Sequence, residues 1–157
     1  MTTGVRFLIA ERVAFSPFFY TFKEHGGTHQ AALELDVDEH FVIKTLVLQT
    51  DDHKPFFVLM HGDCEVSTKQ LARALAVRSV LPSEVTTAQR LTGYTVGGIS
   101  PFGTRSRLQV FAERTIFDLP EVYINGGKRG FLVKVATKDL ERTLHPVIID
   151  AGITAID

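Results

Sequence analysis

Phe41-Val42-Ile43-Lys44-Thr45-Leu46-Val47-Leu48-Gln49-Thr50, then Asp51-Asp52-His53-Lys54, then Pro55-Phe56-Phe57-Val58-Leu59-Met60-His61 is the stretch on which the architecture turns. Two runs rich in β-branched and aromatic residues, each strand-length, flank four polar residues. That pattern predicts two strands joined by a hairpin loop, hence antiparallel neighbours. Upstream, Phe18 to Phe22 is a further aromatic strand, stopped by Gly26-Gly27, and Thr28 is placed to cap a short helix through Leu35. Downstream, Ser67 is expected to cap a helix with Leu71, Ala74 and Leu75 on its apolar face. Ser83, after Pro82, is expected to start another that Gly93 ends. A glycine-rich bend, Gly97 to Gly103, precedes strands over Leu108–Ala112, Glu121–Ile124 and Phe131–Ala136. Thr137 then caps a helix over Lys138–Leu144, which stops before Pro146. Strands in neighbouring pairs with short loops favour one α+β domain over residues 1–157, a mixed and largely antiparallel sheet or barrel with helices packed on it.

Composition sets the outer limits. At 157 residues, 45% hydrophobic and 22% charged, the chain is long enough for one good core and too well mixed for disorder or a coiled coil. Its 17 basic and 18 acidic residues leave a formal charge of −1, which argues against DNA and any duplex-coating role. Cys64 is the only cysteine, so no internal disulfide forms. The apolar run Phe7 to Ala10 is broken by Glu11 and Arg12, far short of the ~20 apolar residues of a membrane span. A cytoplasmic protein with no membrane association is the expectation.

Familiar sites fail on spacing. Gly98-Ile99-Ser100-Pro101-Phe102-Gly103 resembles a nucleophile elbow, but its second glycine comes one residue late. Pro101 also lacks the N–H that such an elbow donates to an oxyanion. Thr104 stands where a phosphate-binding loop needs lysine. Gly126-Gly127-Lys128-Arg129-Gly130 leads into a strand, not the helix of a dinucleotide fingerprint. His25 and His29 are separated by two glycines, and His61-Gly62-Asp63-Cys64 offers two ligands without a partner pair, so no metal is expected.

Lys44 remains. Period two places it on one strand face with Val42, Leu46 and Leu48, where a lysine either snorkels outward or lines a pocket. The glycine pairs Gly97-Gly98 and Gly126-Gly127 are either tight turns or backbone that lets N–H groups approach a ligand, with Lys128-Arg129 beside the second.

Three segments together carry a resemblance: Val42-Ile43-Lys44-Thr45-Leu46-Val47; Thr92-Gly93-Tyr94-Thr95-Val96-Gly97-Gly98-Ile99-Ser100-Pro101-Phe102-Gly103; and Tyr123-Ile124-Asn125-Gly126-Gly127-Lys128-Arg129-Gly130. In this order and spacing the chain resembles the YbaK/EbsC type of aminoacyl-tRNA deacylase, relatives of the editing domain inserted in bacterial prolyl-tRNA synthetase. The likeness runs from about Phe18 to Leu144. It implies a trans-editing hydrolase that cleaves the ester joining a wrong small amino acid to the tRNA 3′ CCA end, Cys-tRNA(Pro) first among substrates. It also implies no metal or organic cofactor, and prolyl-tRNA synthetase as a partner.

On this resemblance Lys44 is the essential residue, and Gly98 and Ile99 supply N–H groups that polarise the ester carbonyl. Gly97, Ser100, Pro101 and Phe102 shape the aminoacyl pocket. Asn125, Gly126, Gly127, Lys128 and Arg129 meet the CCA end. The family often has serine where Asn125 stands and an acidic residue where Leu132 stands. The competing expectation is a binding module for an aminoacyl-tRNA end or a small anion that has lost catalysis.

Overall fold

The structure, a computed structural model, describes residues 1–154. It begins with a helix absent from the sequence-based expectation, α1 (Thr3–Ala10), whose N-cap Thr2 accepts a hydrogen bond from Val5 N at 3.0 Å. Only Gly4 and Leu8 are buried along it, too few to show a period. β1 (Phe15–Phe19) lies three residues earlier than expected. α2 (Gly27–Leu35) forms, but Thr28 does not cap it: its hydroxyl donates to Glu39 Oε2 at 2.7 Å, and the N-cap is Gly26. A 3₁₀ turn over Glu39–Phe41 leads into β2 (Val42–Thr50) and β3 (Pro55–His61), the expected hairpin.

After β4 (Cys64–Val66), Ser67 caps α3 (Thr68–Leu75) by accepting from Gln70 N at 3.2 Å. The buried face of α3 carries Leu71 and Ala72, whereas Ala74 is exposed. β5 (Val80–Pro82) precedes α4 (Val85–Thr92). This helix begins later than Ser83, because Ser83 N donates to Val47 O and stays with the sheet. Next come β6 (Val110–Glu113), β7 (Glu121–Lys128), β8 (Phe131–Ala136) and α5 (Thr137–Leu144). Thr137 is the first residue of α5 rather than its cap, its hydroxyl donating to Leu119 O at 2.6 Å. β9 (Val147–Ile149) and β10 (Gly152–Thr154) end the described chain.

The main sheet runs β1-β8-β7-β2-β3-β6-β9, with β5 also on β2, and β10 pairs with β4. β2–β7, β3–β6 and β6–β9 are parallel and the other pairs antiparallel, so the sheet is mixed and largely antiparallel. The shift of β1 has a simple cause: its partner β8 begins at Phe131, opposite Phe19, so the ladder ends there.

Alternation along β2 sorts its side chains to two sides. Ile43 and Val47 join Phe57 and Leu59 in the main core, with Leu8 of α1, Ala88 of α4 and Leu140 of α5. On the other side Val42 packs with Ala31 and Ala32 of α2, and Leu48 packs with Leu71 and Ala72 of α3. Lys44 stands between these two smaller cores. Slipping β2 by one residue would drive Lys44 into the main core, so its charge helps to fix the register.

Candidate functional site

β2 is paired with β7 only at Val42 and Ile43, and with β5 only from Leu48 to Thr50. Between them, residues 44–47 have β3 along one edge and no strand along the other. The break originates in β7, where Asn125 faces Leu132 but the next pair is Lys128 with Phe131. Gly126-Gly127 are thus an insertion that bends the strand away. A cleft of about 350 Å³ occupies the gap.

On its β2 wall, Lys44 is half-buried and is the one charged side chain among the described residues lining the cleft. Thr45 beside it carries a buried hydroxyl, Oγ1, with no hydrogen-bond partner among the described residues. An orphaned polar atom of this kind costs about 1–3 kcal/mol, a cost that a ligand hydrogen bond would recover. Tyr20 reaches the cleft from beyond the end of β1, and burial raises its hydroxyl above the ordinary phenol value. Leu132, 4% exposed, gives an apolar surface at the position where the resemblance implies an acid.

The glycine segments form the opposite wall by crossing each other. A Cβ at Gly98 would lie 2.6 Å from Arg129 N and 2.7 Å from Lys128 C, so only glycine lets the two backbones touch. Asn125 ties the crossing: its Oδ1 accepts from Gly127 N (2.6 Å) and Lys128 N (3.1 Å), and its Nδ2 donates to Lys128 O (3.2 Å) and Gly97 O (3.4 Å). Gly127 sits at φ +108° against the Tyr94 ring, and the Gly126 carbonyl accepts from the Thr2 hydroxyl at 2.6 Å. Arg129 donates to Val96 O at 2.9 Å and lies 4.7 Å over the Phe22 ring. Lys128 is exposed beside it, and a second, shallower hollow opens between Thr95, Gly98 and Lys128-Arg129.

The expected site residues therefore separate. Lys44, Gly97, Ile99 and Asn125 line the cleft. Gly98 does not line it, and its N–H already donates to Thr95 O at 2.8 Å, so that donor is unavailable to a carbonyl. Ile99 N–H has no acceptor among the described residues. Ser100, Pro101 and Phe102 turn inward. The Ser100 hydroxyl accepts from Phe102 N at 3.1 Å, and Phe102 stacks on Phe7 of α1 at 5.8 Å. Tyr94 locks this underside by donating to Phe102 O and accepting from Thr3 Oγ1. The bend is thus core on one side and cleft on the other.

Tyr20 and Thr45 lie outside the set expected from sequence. Thr45 follows Lys44 directly, but alternation assigns it to the opposite face; only the missing neighbour strand opens that face to the cleft. Chemically, the cleft offers a cation, hydroxyls and an N–H, with no histidine and no carboxylate among its described lining residues. Such a set can hold and polarise a carbonyl or a phosphate. It has no internal base to activate a serine.

Comparison with known proteins bears on the family and the fold. Residues 24–143 match the family described as "Aminoacyl-tRNA editing domain". Over 136 residues, the chain is 24% identical to EbsC of Enterococcus faecalis, a proposed Cys-tRNA(Pro)/Cys-tRNA(Cys) deacylase, covering 86% of this chain and 83% of that one. It is 27% identical over 86 residues to the proline–tRNA ligase of Brachyspira hyodysenteriae, covering 55% of this chain and 15% of the ligase. Among solved structures, a proposed trans-editing enzyme for prolyl-tRNA synthetase superposes with a TM-score of 0.83 at 17% identity, over 98% of both chains.

Proposed function

This chain belongs to the aminoacyl-tRNA editing domain family, and from that premise we propose that it is a trans-editing hydrolase clearing a small non-cognate amino acid from tRNA, with Cys-tRNA(Pro) the first candidate. One observation supports this above the rest: at the open edge of β2, Lys44, the Thr45 hydroxyl (unpartnered among the described residues) and Ile99 line one cleft. An aminoacyl ester is already activated, so the site has only to position it and stabilise the developing oxyanion. Lys44 supplies the charge, Ile99 N–H the directional donor, and Thr45 a hydrogen bond to the aminoacyl or ribose group. With no histidine or carboxylate among the described lining residues, the attacking group is the substrate's own side chain or a water held by the substrate. A substrate thiol would meet that requirement.

Lys128 and Arg129, outside the cleft, are placed to meet phosphates of the single-stranded CCA end, which is read by local contacts. Docking on prolyl-tRNA synthetase would supply the affinity that a net charge of −1 does not. The test is deacylation of proline tRNA charged separately with cysteine, alanine, serine and proline. Loss of one non-cognate amino acid, abolished in Lys44→Ala, is expected. The apolar Leu132 favours one competitor, a module that binds without turnover. No hydrolysis of any ester, with synthetase supplied, would establish that reading instead.

A further inference from the structure

Where the 3₁₀ turn before β2 meets the β3–β4 loop, outside the residues that line the cleft but within electrostatic reach of Lys44, three donors of different chemistry converge. An imidazole nitrogen of His40, a carboxylate oxygen of Asp63 and the sulfur of Cys64 all lie within 4.8 Å of one another. His40 Nδ1 is 2.9 Å from Asp63 Oδ1, and Cys64 Sγ is 3.6 Å from that same oxygen. Nitrogen, oxygen and sulfur ligands around a tetrahedral zinc stand roughly 3.3–3.8 Å apart, given its bond lengths. Small side-chain movements bring the three to that spacing.

The backbone beneath them is already fixed. His40 N donates to Asp38 Oδ1 at 2.9 Å, and His40 O accepts from His61 Nδ1 at 2.7 Å. The His40 ring stacks on that of His61 with centroids 3.7 Å apart and planes 6° from parallel. His61 is buried, with its other nitrogen on Thr115 Oγ1 at 2.7 Å, so it serves as a platform and not as a ligand. As a nucleophile Cys64 would be inert, since burial, and then Asp63, push its thiol to about 11.

We propose that His40, Asp63 and Cys64 form a binding site for a zinc-class divalent cation, with water in the fourth position. One sulfur, one imidazole and one carboxylate suit zinc and cobalt and do not suit magnesium or calcium, which prefer oxygen alone. On coordination the Cys64 thiol releases its proton to solvent. The ion would tie the 3₁₀ turn before β2 to the β3–β4 loop. Gly62 in that loop lies 3.3 Å from the hydroxyl of Thr28, which lines the cleft, so the ion would brace the cleft from outside and take no part in the reaction.

The test uses the full chain, stripped with a chelator and titrated with Co²⁺. One equivalent is expected to give a thiolate-to-cobalt charge-transfer band with tetrahedral ligand-field absorption, which Zn²⁺ then displaces, and to raise the melting temperature. Cys64→Ser should lose the band, and both Cys64→Ser and His40→Gln should weaken Zn²⁺ binding by at least about 100-fold against a chromophoric chelator, more than loss of an outer partner does. His53→Gln should bind as wild type. No band in the wild-type protein at one equivalent, or unchanged Zn²⁺ affinity in both ligand variants, would overturn the proposal.

Discussion

The two walls of the cleft use their polar groups in opposite ways. Along β2, at an edge that no strand covers, the Thr45 hydroxyl has no hydrogen-bond partner among the described residues and Lys44 lines the open cleft. Along the glycine crossing almost every donor is occupied: Asn125 makes four bonds, Gly98 N–H is on Thr95 O, and Arg129 is clamped between Val96 O and Phe22. Unsatisfied groups are costly to keep, so a wall that retains them is the one a ligand completes. The satisfied wall is scaffold except at Ile99, whose N–H has no acceptor among the described residues. Glycine-rich backbone, which in sequence looks like the ligand-binding element, here mainly lets two chain segments pass.

That contrast predicts a ranked set of effects. Lys44→Ala should lower deacylation by about 100- to 1000-fold, the range for removing one charge-stabilising donor, with little change in the denaturation midpoint. Retained activity would break the comparison at its strongest point. Gly98→Ala should do the reverse. The new Cβ meets the backbone at Arg129 and Lys128, so urea titration should show a loss of about 1–3 kcal/mol. Residual activity should follow the folded fraction. Thr45→Val sharpens the contrast by splitting the two readouts, gaining about 1 kcal/mol of stability by removing an orphaned hydroxyl while slowing turnover. A variant that is less stable would mean that the hydroxyl already has a partner.

The smallest effect lies outside both walls. Burial lowers the pKa of His61, opposed by its bond to the His40 carbonyl. The folded state therefore takes up a proton at lower pH than the unfolded chain. Stability from this group is present above the unfolded value, near pH 6.5, and is lost as pH falls from there through the lower folded value. Melting scans between pH 7 and 5 should show that decline, and His61→Gln should flatten it. Asp63 also has a lowered pKa. Burial opposes the shift, but the bond to His40 and its charge prevail, so its contribution fades only in the acid range of carboxylates.

The hairpin of β2 and β3 and the strand β8 were legible because each is a strand-length run dominated by apolar, β-branched and aromatic residues. β4, β5, β9 and β10 were not, being three residues each, too short for alternation to register. They are strands because a partner lies alongside. The cleft was half legible. Lys44 stands out as a charge on an apolar face. That Thr45 shares its cleft depends on β7 leaving β2 after Ile43, a long-range fact with no local signal. Likewise, Asn125 and Gly98 show their chemistry in sequence but not which of their bonds are already made.

The bond from the Thr2 hydroxyl to the Gly126 carbonyl joins residues 124 positions apart, and the parallel contact of β2 with β7 joins Val42 to Tyr123. Contacts of such long range are slow to form, because loop closure must be paid for before they return any stability. During synthesis, α1 meets Tyr94 and Phe102 first and waits for residue 126 before its bond to β7 can form. Until then only the earlier members of the two smaller cores can gather around the hairpin, and no crossing completes the cleft at Lys44. The cleft is therefore a late event in folding, and a chain stopped before Gly126 would hold Lys44 and Ile99 without the crossing that completes the cleft.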